Sequence, residues 1–498
     1  MEVHNNIIAN YVGRAYSIAV IYLFVPFYVR VLGVESYGVI AAYTILLTLS
    51  GLADIGLSAT FAREAARSSD GKKLLDLLST IERILFLSAS LLSLIIFVCA
   101  EFIAARWLNT SGTIDEQTVI YSFRLMALMI VPQLGISLYS AGLIGLQKQV
   151  KANLIQSLFT TIRSGLVVLP ILWRPELPLF FIWQLVTTAA FALVTRVFLL
   201  KAMGFPGLQI GRFDYAMLRS NLIFAGGMLW ISIVSGINTQ IDKLLVSKLF
   251  SLTDFGYYNL ASTLAQVPVV LVTPIAVVFY PYITAHVAKQ NVDQERLAFE
   301  AFGQWIAFIG ALSAFGVALY APELLALWLQ DQKLQPVVAN VSTALAIGSL
   351  FLCLNIPSYY HGLAHGQSGL IATLVTMTLL FSLPLTILAA RIWGLFGVAF
   401  PWIALNLINL LLMSTMITGR HLGQYSLGRI IRTLASPVVF ALFPILGARF
   451  ITHAFEAPPL LSCIVAGVGG LCAVLAFMAS RHTGIVSGLI RKLWRRTI

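Results

Sequence analysis

Residues Ile84–Ala105 read ILFLSASLLSLIIFVCAEFIAA and contain a single charged residue, Glu101. A stretch of this length and composition is sufficient to cross a bilayer as an α-helix, because about 20 residues span the hydrocarbon core. Similar stretches recur along the whole chain of 498 residues, of which 59% are hydrophobic and only 10% are charged. Soluble domains carry about 25% charged residues. The sequence therefore predicts an integral membrane protein.

Fourteen such stretches predict an all-α membrane protein with 14 transmembrane helices. A transmembrane β-barrel would instead show segments of about 10 residues that alternate between apolar and polar. The stretches here are unbroken and about twice as long, and the short connections leave no room for a large soluble domain. The predicted spans are 7–29, 37–60, 84–105, 118–143, 152–173, 178–200, 222–247, 255–282, 304–329, 336–360, 368–390, 395–418, 433–453 and 459–480.

The distribution of basic residues predicts the orientation. The chain has 32 Lys and Arg against 20 Asp and Glu, a net charge of +12. In a soluble protein this excess would suggest a nucleic-acid partner, but in a membrane protein it reflects the retention of basic loops in the cytoplasm. We therefore predict no nucleic-acid binding, a multi-pass chain and two cytoplasmic termini. Few cations then fall in outer loops, namely Arg30, Arg106, Arg174, Lys248, Lys333 and Arg391.

Two segments that lie 218 residues apart repeat one pattern. Arg30–Gly38 reads RVLGVESYG and Lys248–Gly256 reads KLFSLTDFG, with the acid shifted by one position. Six predicted spans separate the copies, so both run in the same direction, and two parallel bundles of this kind are typical of alternating-access transporters. We predict two parallel six-helix bundles plus two C-terminal helices, divided into an N-terminal bundle at 1–200, a cytoplasmic linker at 201–221, a second bundle at 222–418, and helices 13 and 14 with a basic tail at 419–498.

Several short motifs resemble those of a known family. They are Tyr37-Gly38, Leu52–Leu57 (LADIGL), Arg63–Arg67 (REAAR), Ile241–Leu245 (IDKLL) and Gly256-Tyr257-Tyr258. Together they resemble the bacterial polysaccharide exporters, the O-antigen flippases of the multidrug/oligosaccharidyl-lipid/polysaccharide (MOP) superfamily. The resemblance implies a protein of the bacterial inner membrane that moves undecaprenyl-diphosphate-linked oligosaccharide from the cytoplasmic to the periplasmic leaflet for lipopolysaccharide synthesis. It also implies a polysaccharide polymerase and a chain-length regulator as partners, besides membrane lipids.

Four cations are candidates for binding the diphosphate of such a substrate. An intramembrane charge costs roughly 2.5–3.5 kcal/mol on insertion scales and therefore needs a reason to be there. Arg163 lies near the middle of the fifth predicted span, and its planar guanidinium matches phosphate oxygens. Arg14 and Lys243 lie in the first and seventh spans, and Arg63 opens a cytoplasmic basic cluster. Structural ion pairs, topology and lipid headgroups are the alternative interpretations of these residues.

Two acids are predicted to be structural or to couple transport to an ion. Asp54 lies at a depth comparable to that of Arg14 in the neighbouring antiparallel span, so the two side chains could form an ion pair. Asp242 directly precedes Lys243, and adjacent helical residues point about 100° apart, so these two do not pair well with each other. The motif that contains Asp54 is a structural turn in the resembled family.

No cofactor or metal site is predicted. The chain has no GxxxxGK[ST] phosphate loop, so it is not expected to hydrolyse ATP. His361 and His365 have the i,i+4 spacing of two metal ligands, but no third ligand is apparent, and Gly362 and Gly366 predict a loop there. The four cysteines lie in apolar stretches without CxxC spacing, which indicates neither disulfides nor zinc.

Other functional classes fit the sequence less well. A glycosyltransferase or polymerase would need catalytic carboxylates on a sizeable outer loop, whereas the longest outer loop is 106–117, so we predict a transporter and not an enzyme. A cation-coupled multidrug exporter shares the superfamily plan, but the charges within the spans are mainly cationic, which favours an anionic substrate. A lipid II flippase has the same number of helices and an anionic lipid substrate, and it stays open as an alternative.

Overall fold

The computed structural model describes residues 2–54, 56–68, 70–110, 114–205, 207, 209–214, 236–237, 239–329, 335–422 and 427–479. The chain divides into two compact units, Met1–Gly256 and Tyr257–Ile498. The predicted seventh span and the second half of the predicted linker lie largely outside the described residues.

Long helices dominate the described part of the chain. The helices up to the first unit boundary are α1 Glu2–Leu32, α2 Val34–Ser50, α3 Leu57–Arg67, α4 Gly71–Phe102, α5 Glu116–Gly145, α6 Gln149–Thr160, α7 Val168–Trp173, α8 Leu177–Ala202 and α9 at 239–249. The later helices are α10 Leu252–Ala265, α11 Val267–Ala288, α12 Val292–Leu329, α13 Gln335–Ala364, α14 Ser368–Gly397, α15 Ala399–Met413, α16 Gly419–His421, α17 Leu427–Ala454 and α18 Pro459–Ala479.

The lengths of these helices are those of membrane spans. Among the described residues, 11 helices are long and apolar enough to cross a membrane, and Ala19–Leu32 and Val34–Ser50 are shorter apolar helices. A short π-turn at Ile103–Trp107 extends α4, and another at Ser414–Thr418 connects α15 to α16. The prediction of an all-helical membrane protein is therefore confirmed.

The second predicted span, 37–60, is wrong as a single helix. The structure ends α2 at Ser50, continues with a 3-10 turn at Gly51–Asp54 and starts α3 at Leu57. Gly56 has a φ of +71°, in the left-handed region, where only glycine is free of strain. The Asp54 carboxylate accepts hydrogen bonds from the backbone N–H and the hydroxyl of Ser58, so it caps α3 and stabilises the break.

The helix predicted at 84–105 begins much earlier than hydropathy indicates. Its first turn is capped by Asp70, whose side chain accepts from the backbone N–H groups of Lys72 and Lys73. The 32 residues of α4 extend about 48 Å at 1.5 Å per residue, which is longer than the hydrocarbon core of about 30 Å. The charged first turns therefore extend the helix beyond the hydrocarbon core of the bilayer. Hydropathy does not detect this part of the helix, because its residues are polar.

Each unit has its own apolar core. In the first unit, α3, α4, α5 and α8 meet around fully buried side chains that include Phe61, Leu78 and Leu138. In the second unit, α12, α17 and α18 meet where the rings of Phe308 and Phe477 stack at a centroid distance of 4.2 Å. Large side chains such as Leu87 remain exposed on the outer helix surfaces, as expected for surfaces that face lipid.

The two copies of the sequence repeat pack against each other. A Cβ atom added to Gly38 would lie 2.3 Å from the backbone oxygen of Leu252, and one added to Gly256 would lie 2.6 Å from the backbone oxygen of Val34. Val34 and Leu252 occupy the same position in the repeat, four residues before each glycine. The contact is thus reciprocal. Glycine is needed at both positions because the Cβ of any other residue would clash with a backbone carbonyl oxygen of the other copy.

Candidate functional site

Arg163 lies in a π-turn that interrupts the fifth predicted span. The turn comprises Thr161–Gly165 and connects α6 to α7, and it is closed by the bond from the Leu166 N–H to the Thr161 carbonyl at 3.0 Å. Single π-turns inside helices frequently occur at functional sites. The Arg163 side chain is half-buried.

Side chains of neighbouring helices stabilise this turn by binding its backbone carbonyls. The Trp183 indole donates to the Ile162 carbonyl at 3.0 Å, and the Gln184 amide donates to the Arg163 carbonyl at 3.1 Å. Tyr28 donates its hydroxyl to the Ser164 carbonyl. Backbone groups freed from the regular helical pattern are thereby satisfied, and the position of Arg163 becomes well defined.

The guanidinium of Arg163 is surrounded by neutral groups. Its Nε donates to Gln184 Oε1 at 2.5 Å, its Nη2 to the Tyr43 hydroxyl at 3.0 Å and its Nη1 to Gln133 Oε1 at 3.5 Å. The rings of Tyr43 and Phe159 lie 5.6 Å and 5.3 Å from its central carbon, within the range of a cation–π interaction. Three of its five N–H groups are thus donated to these partners.

No carboxylate among the described residues pairs with Arg163. Other arginines near the ends of predicted spans do have such partners: Arg124 lies 2.7 Å from Glu101, and Arg449 pairs with Glu323. A cation without a nearby countercharge is costly in an apolar surrounding. The site is therefore electrostatically suited to an anion, since two N–H groups of Arg163 have no partner among the described residues and can donate to its oxygens.

The other predicted binding residues are distributed along the first unit. Arg14 lies in α1, and its side chain is outside the described part, as is its predicted pairing with Asp54. Arg63 Nη2 lies 2.9 Å from Glu64, its neighbour in α3. Asp242 and Lys243 are half-buried in α9. The described contacts do not bring Arg63 or Asp54 to Arg163.

A buried ion pair lies elsewhere in the first unit. Arg196 Nε and Nη2 donate to the two carboxylate oxygens of Glu82 at 2.7 Å and 3.1 Å, and the side chains are only 12% and 8% exposed. The pair connects α4 to α8 and lies at a largely apolar groove of about 940 Å³ whose walls include Phe86, Leu128 and Leu193. The sequence analysis did not predict it, because Glu82 precedes the predicted span 84–105, Arg196 lies in the last turns of the predicted span 178–200, and the two are 114 residues apart.

Comparison with known proteins decides the family. Residues 3–286, more than half of the chain, match the family described as polysaccharide biosynthesis protein. The chain belongs to this family. Its resemblance to the polysaccharide exporters, predicted from the short motifs, is thereby confirmed.

Individual proteins that are similar to this chain agree with the family assignment. The chain is 22% identical over 430 residues to a Shigella flexneri protein named "Putative O-antigen transporter", an alignment that covers 84% of the chain and 98% of the relative. The fold of the chain is similar to that of the lipid II flippase MurJ in an inward closed conformation. The TM-score is 0.73 and the identity 14%, over 95% of the chain and 98% of MurJ. The fold is also similar to that of an inward-facing multidrug resistance MATE family transporter, with a TM-score of 0.66 and 11% identity over 82% and 94% of the two chains.

These similarities establish the general class of this family member. It is a polysaccharide-related multi-pass membrane transporter with the MOP-superfamily fold, and it is not an enzyme. The structural similarities, at 14% and 11% identity, concern the fold alone.

The Glu82–Arg196 pair makes a testable contribution to the stability of the protein. Arg196→Leu leaves a buried carboxylate without its partner, so we expect the free energy of unfolding to fall by about 3–5 kcal/mol. The double variant Glu82→Leu/Arg196→Leu removes both charges and is expected to recover most of that loss. Thermal unfolding in detergent measures both effects.

Arg124→Leu is the control, because its pair with Glu101 is more exposed and pairs of this kind contribute about 1 kcal/mol or less. Equal losses in the single and double variants would show that the unpaired Glu82 carboxylate is not the source of the lost stability.

Proposed function

We propose that the protein flips undecaprenyl-diphosphate-linked oligosaccharide repeat units from the cytoplasmic to the periplasmic leaflet of the bacterial inner membrane. Alternating access would carry the polar headgroup across for the synthesis of surface polysaccharide such as O-antigen. Membership of the polysaccharide biosynthesis family and the similarity to a protein named as an O-antigen transporter support this substrate class. A polymerase and a chain-length regulator are the proposed partners, because they act on the delivered repeat units.

The observation that carries the proposal is the environment of Arg163. A diphosphate needs a cation whose charge is not already neutralised, and Arg163 has only neutral partners among the described residues. Its guanidinium can bind phosphate oxygens in a planar, two-point geometry. Aromatic and amide side chains, among them Tyr43, Gln133 and Gln184, surround it, and such groups stack on sugar rings or form hydrogen bonds with their hydroxyls.

The remaining cations extend this site in our proposal. Arg63 would attract the diphosphate at the cytoplasmic face, and Arg14 and Lys243 would contact it along the path. Asp54 and Asp242 would have structural or ion-coupling roles. The apolar groove beside Glu82 and Arg196 is our candidate for the first prenyl units of the lipid, which are too apolar to enter a polar path.

The proposed architecture is that of 14 spans with both termini in the cytoplasm. Two parallel bundles, at 1–200 and 222–418, would be joined by the linker at 201–221 and followed by helices 13 and 14 at 419–498. The excess of basic residues in alternate loops supports this orientation. Alternation of the two bundles would expose the Arg163 site to each leaflet in turn.

The membrane potential can supply the driving force. Moving one negative charge outward from a negative interior is favoured by about 2.3 kcal/mol per 100 mV. The substrate carries an anionic diphosphate, so this field acts in the direction of export without ATP.

Reconstitution in liposomes tests the proposal. We expect the protein to transfer a short-chain diphosphate-linked oligosaccharide between leaflets, and we expect an outside-positive potential to favour export because the headgroup is anionic. Leaflet accessibility of the glycan, measured with a membrane-impermeant lectin or glycosidase, gives the rate. Liposomes without protein and liposomes containing Arg163→Ala are the matched controls.

Two results would contradict the proposal. Efflux of cationic dyes without oligosaccharide transfer would indicate a multidrug exporter. Transfer of lipid II in preference to an oligosaccharide repeat unit would indicate the lipid II flippase function.

A further inference from the structure

A cluster of one glutamate and two histidines lies in the second unit. Glu295 Oε1 is 2.6 Å from His361 Nε2 and 2.6 Å from His365 Nε2. The side chains of Glu295 and His361 are 2% and 0% exposed, and that of His365 is 16% exposed. Their ligand atoms lie within 4.8 Å of one another, as required for binding a single ion.

Helical geometry aligns the two histidines. The loop predicted for this segment is wrong through Ala364, because α13 continues to that residue and the His365 N–H still donates to the His361 carbonyl at 3.2 Å. Residues four apart on a helix lie on the same face, so both imidazoles point to one place. The glycine at 362 does not end the helix, since helices at membrane depth tolerate glycine well.

The missing third ligand comes from another helix. Glu295 lies in the first turn of α12, where Asn291 accepts a hydrogen bond from the Gln294 N–H at 3.1 Å and thereby caps the helix. Glu295 is 66 residues away from His361 in the chain. For that reason the histidine spacing alone predicted no metal, whereas the tertiary structure supplies the carboxylate.

A third imidazole lies beside the cluster. The ring of His421, at the end of α16, stacks on that of His365 at a centroid distance of 3.9 Å. Nε2 of His421 is buried and has no hydrogen-bond partner among the described residues. Buried polar atoms are nearly always paired, so an unpaired imidazole nitrogen on a ring that stacks against the cluster points to a ligand that bonds to nitrogen.

We propose that Glu295, His361 and His365 bind a divalent transition-metal ion, Zn²⁺ in the first instance, with His421 as the candidate fourth ligand. Carboxylate and imidazole in this combination are typical zinc ligands. Tetrahedral ligands about 2.1 Å from zinc lie about 3.4 Å apart, so the nitrogen–oxygen distances of 2.6 Å need to open by only about 1 Å. The ion would join the start of α12 to the end of α13, and through His421 also to α16, on the side predicted to be cytoplasmic.

The metal content of the purified protein tests this site. The full chain is purified through an affinity tag that contains no histidine, stripped with chelator and dialysed against Zn²⁺ or Co²⁺. We expect about one zinc ion per chain and, with Co²⁺, the intense visible absorption of a tetrahedral cobalt site. His361→Gln and His365→Gln are each expected to weaken the binding at least about tenfold.

His453→Gln is the matched control, because His453 is an exposed histidine of the same unit and its loss is expected to leave metal binding unchanged. Glu295→Gln separates a metal site from a hydrogen-bonded cluster, because the amide can still bind both imidazoles but is a much poorer zinc ligand. Its Co²⁺ absorption is expected to be lost while the chain stays folded.

Three results would overturn the proposal: a folded wild-type protein that takes up no zinc, a Co²⁺ spectrum without tetrahedral absorption, or equal metal content in His361→Gln and His453→Gln. None of these measurements requires transport activity, so they are independent of the proposed flippase function.

Discussion

Arg163→Ala is expected to reduce transfer of the diphosphate-linked oligosaccharide by at least about 30-fold, equivalent to a loss of about 2 kcal/mol of binding free energy. The variant removes a cation that has no carboxylate partner among the described residues, and it leaves the neutral groups Tyr43, Gln133 and Gln184 around the site. Arg163→Lys keeps the charge but loses the planar fork, so a reduced and measurable rate is expected. The proteoliposome accessibility assay measures both variants.

Arg124→Ala is the control for this experiment. It also removes an arginine of the first unit, but one that is paired with Glu101 at 2.7 Å and more exposed, so transfer should stay close to the wild-type rate. Thermal unfolding of each variant separates loss of binding from loss of fold. Wild-type rates in both Arg163→Ala and Arg163→Lys would remove Arg163 from the substrate path.

Gly38→Ala is expected to lower the free energy of unfolding by about 1–3 kcal/mol, the usual cost of overpacking. The new methyl group would lie 2.3 Å from the Leu252 backbone oxygen, and backbone cannot rotate away as a flexible side chain would. Gly256→Ala is expected to have a similar effect, because its methyl group would meet the Val34 backbone oxygen at 2.6 Å. Thermal unfolding in detergent measures the loss.

The double variant Gly38→Ala/Gly256→Ala tests the reciprocity of this contact. Both substitutions separate the same pair of helix ends, so their combined effect is expected to be smaller than the sum. Gly51→Ala is the control, since that glycine has a φ of −56° and no neighbouring atom within 4 Å of an added Cβ. If Gly38→Ala destabilises no more than Gly51→Ala, the close packing of the repeats is not a source of stability.

Part of the functional site follows from the sequence. Arg163 is recognisable as a deep cation because a long apolar stretch surrounds it, and hydropathy is a local property that a window of about 20 residues captures. Its partners are not recognisable in this way. Tyr43, Gln133 and Gln184 are neutral, they lie in three different helices, and the only signal that they leave in the sequence is a polar side chain within an apolar run.

The charged residues near the ends of the predicted spans could not be paired from the sequence either. Glu82 and Arg196 are 114 residues apart, and they lie just before the predicted span 84–105 and near the end of the predicted span 178–200, where hydropathy does not show which side chains meet. The break between α2 and α3 was equally hidden, since it depends on the left-handed conformation of Gly56 and on one side-chain cap.

The sequence by itself determined the membrane class, most of the helical spans, the repeat and the family, because these follow from composition and from residues close in the chain. Only the tertiary structure decided which charges are compensated: Arg196 has its glutamate, Arg163 has neutral partners, and His361 and His365 converge on Glu295. The physical reason is that the electrostatic environment of a charge depends on distances of a few ångströms, and folding brings to those distances residues that are far apart in the chain.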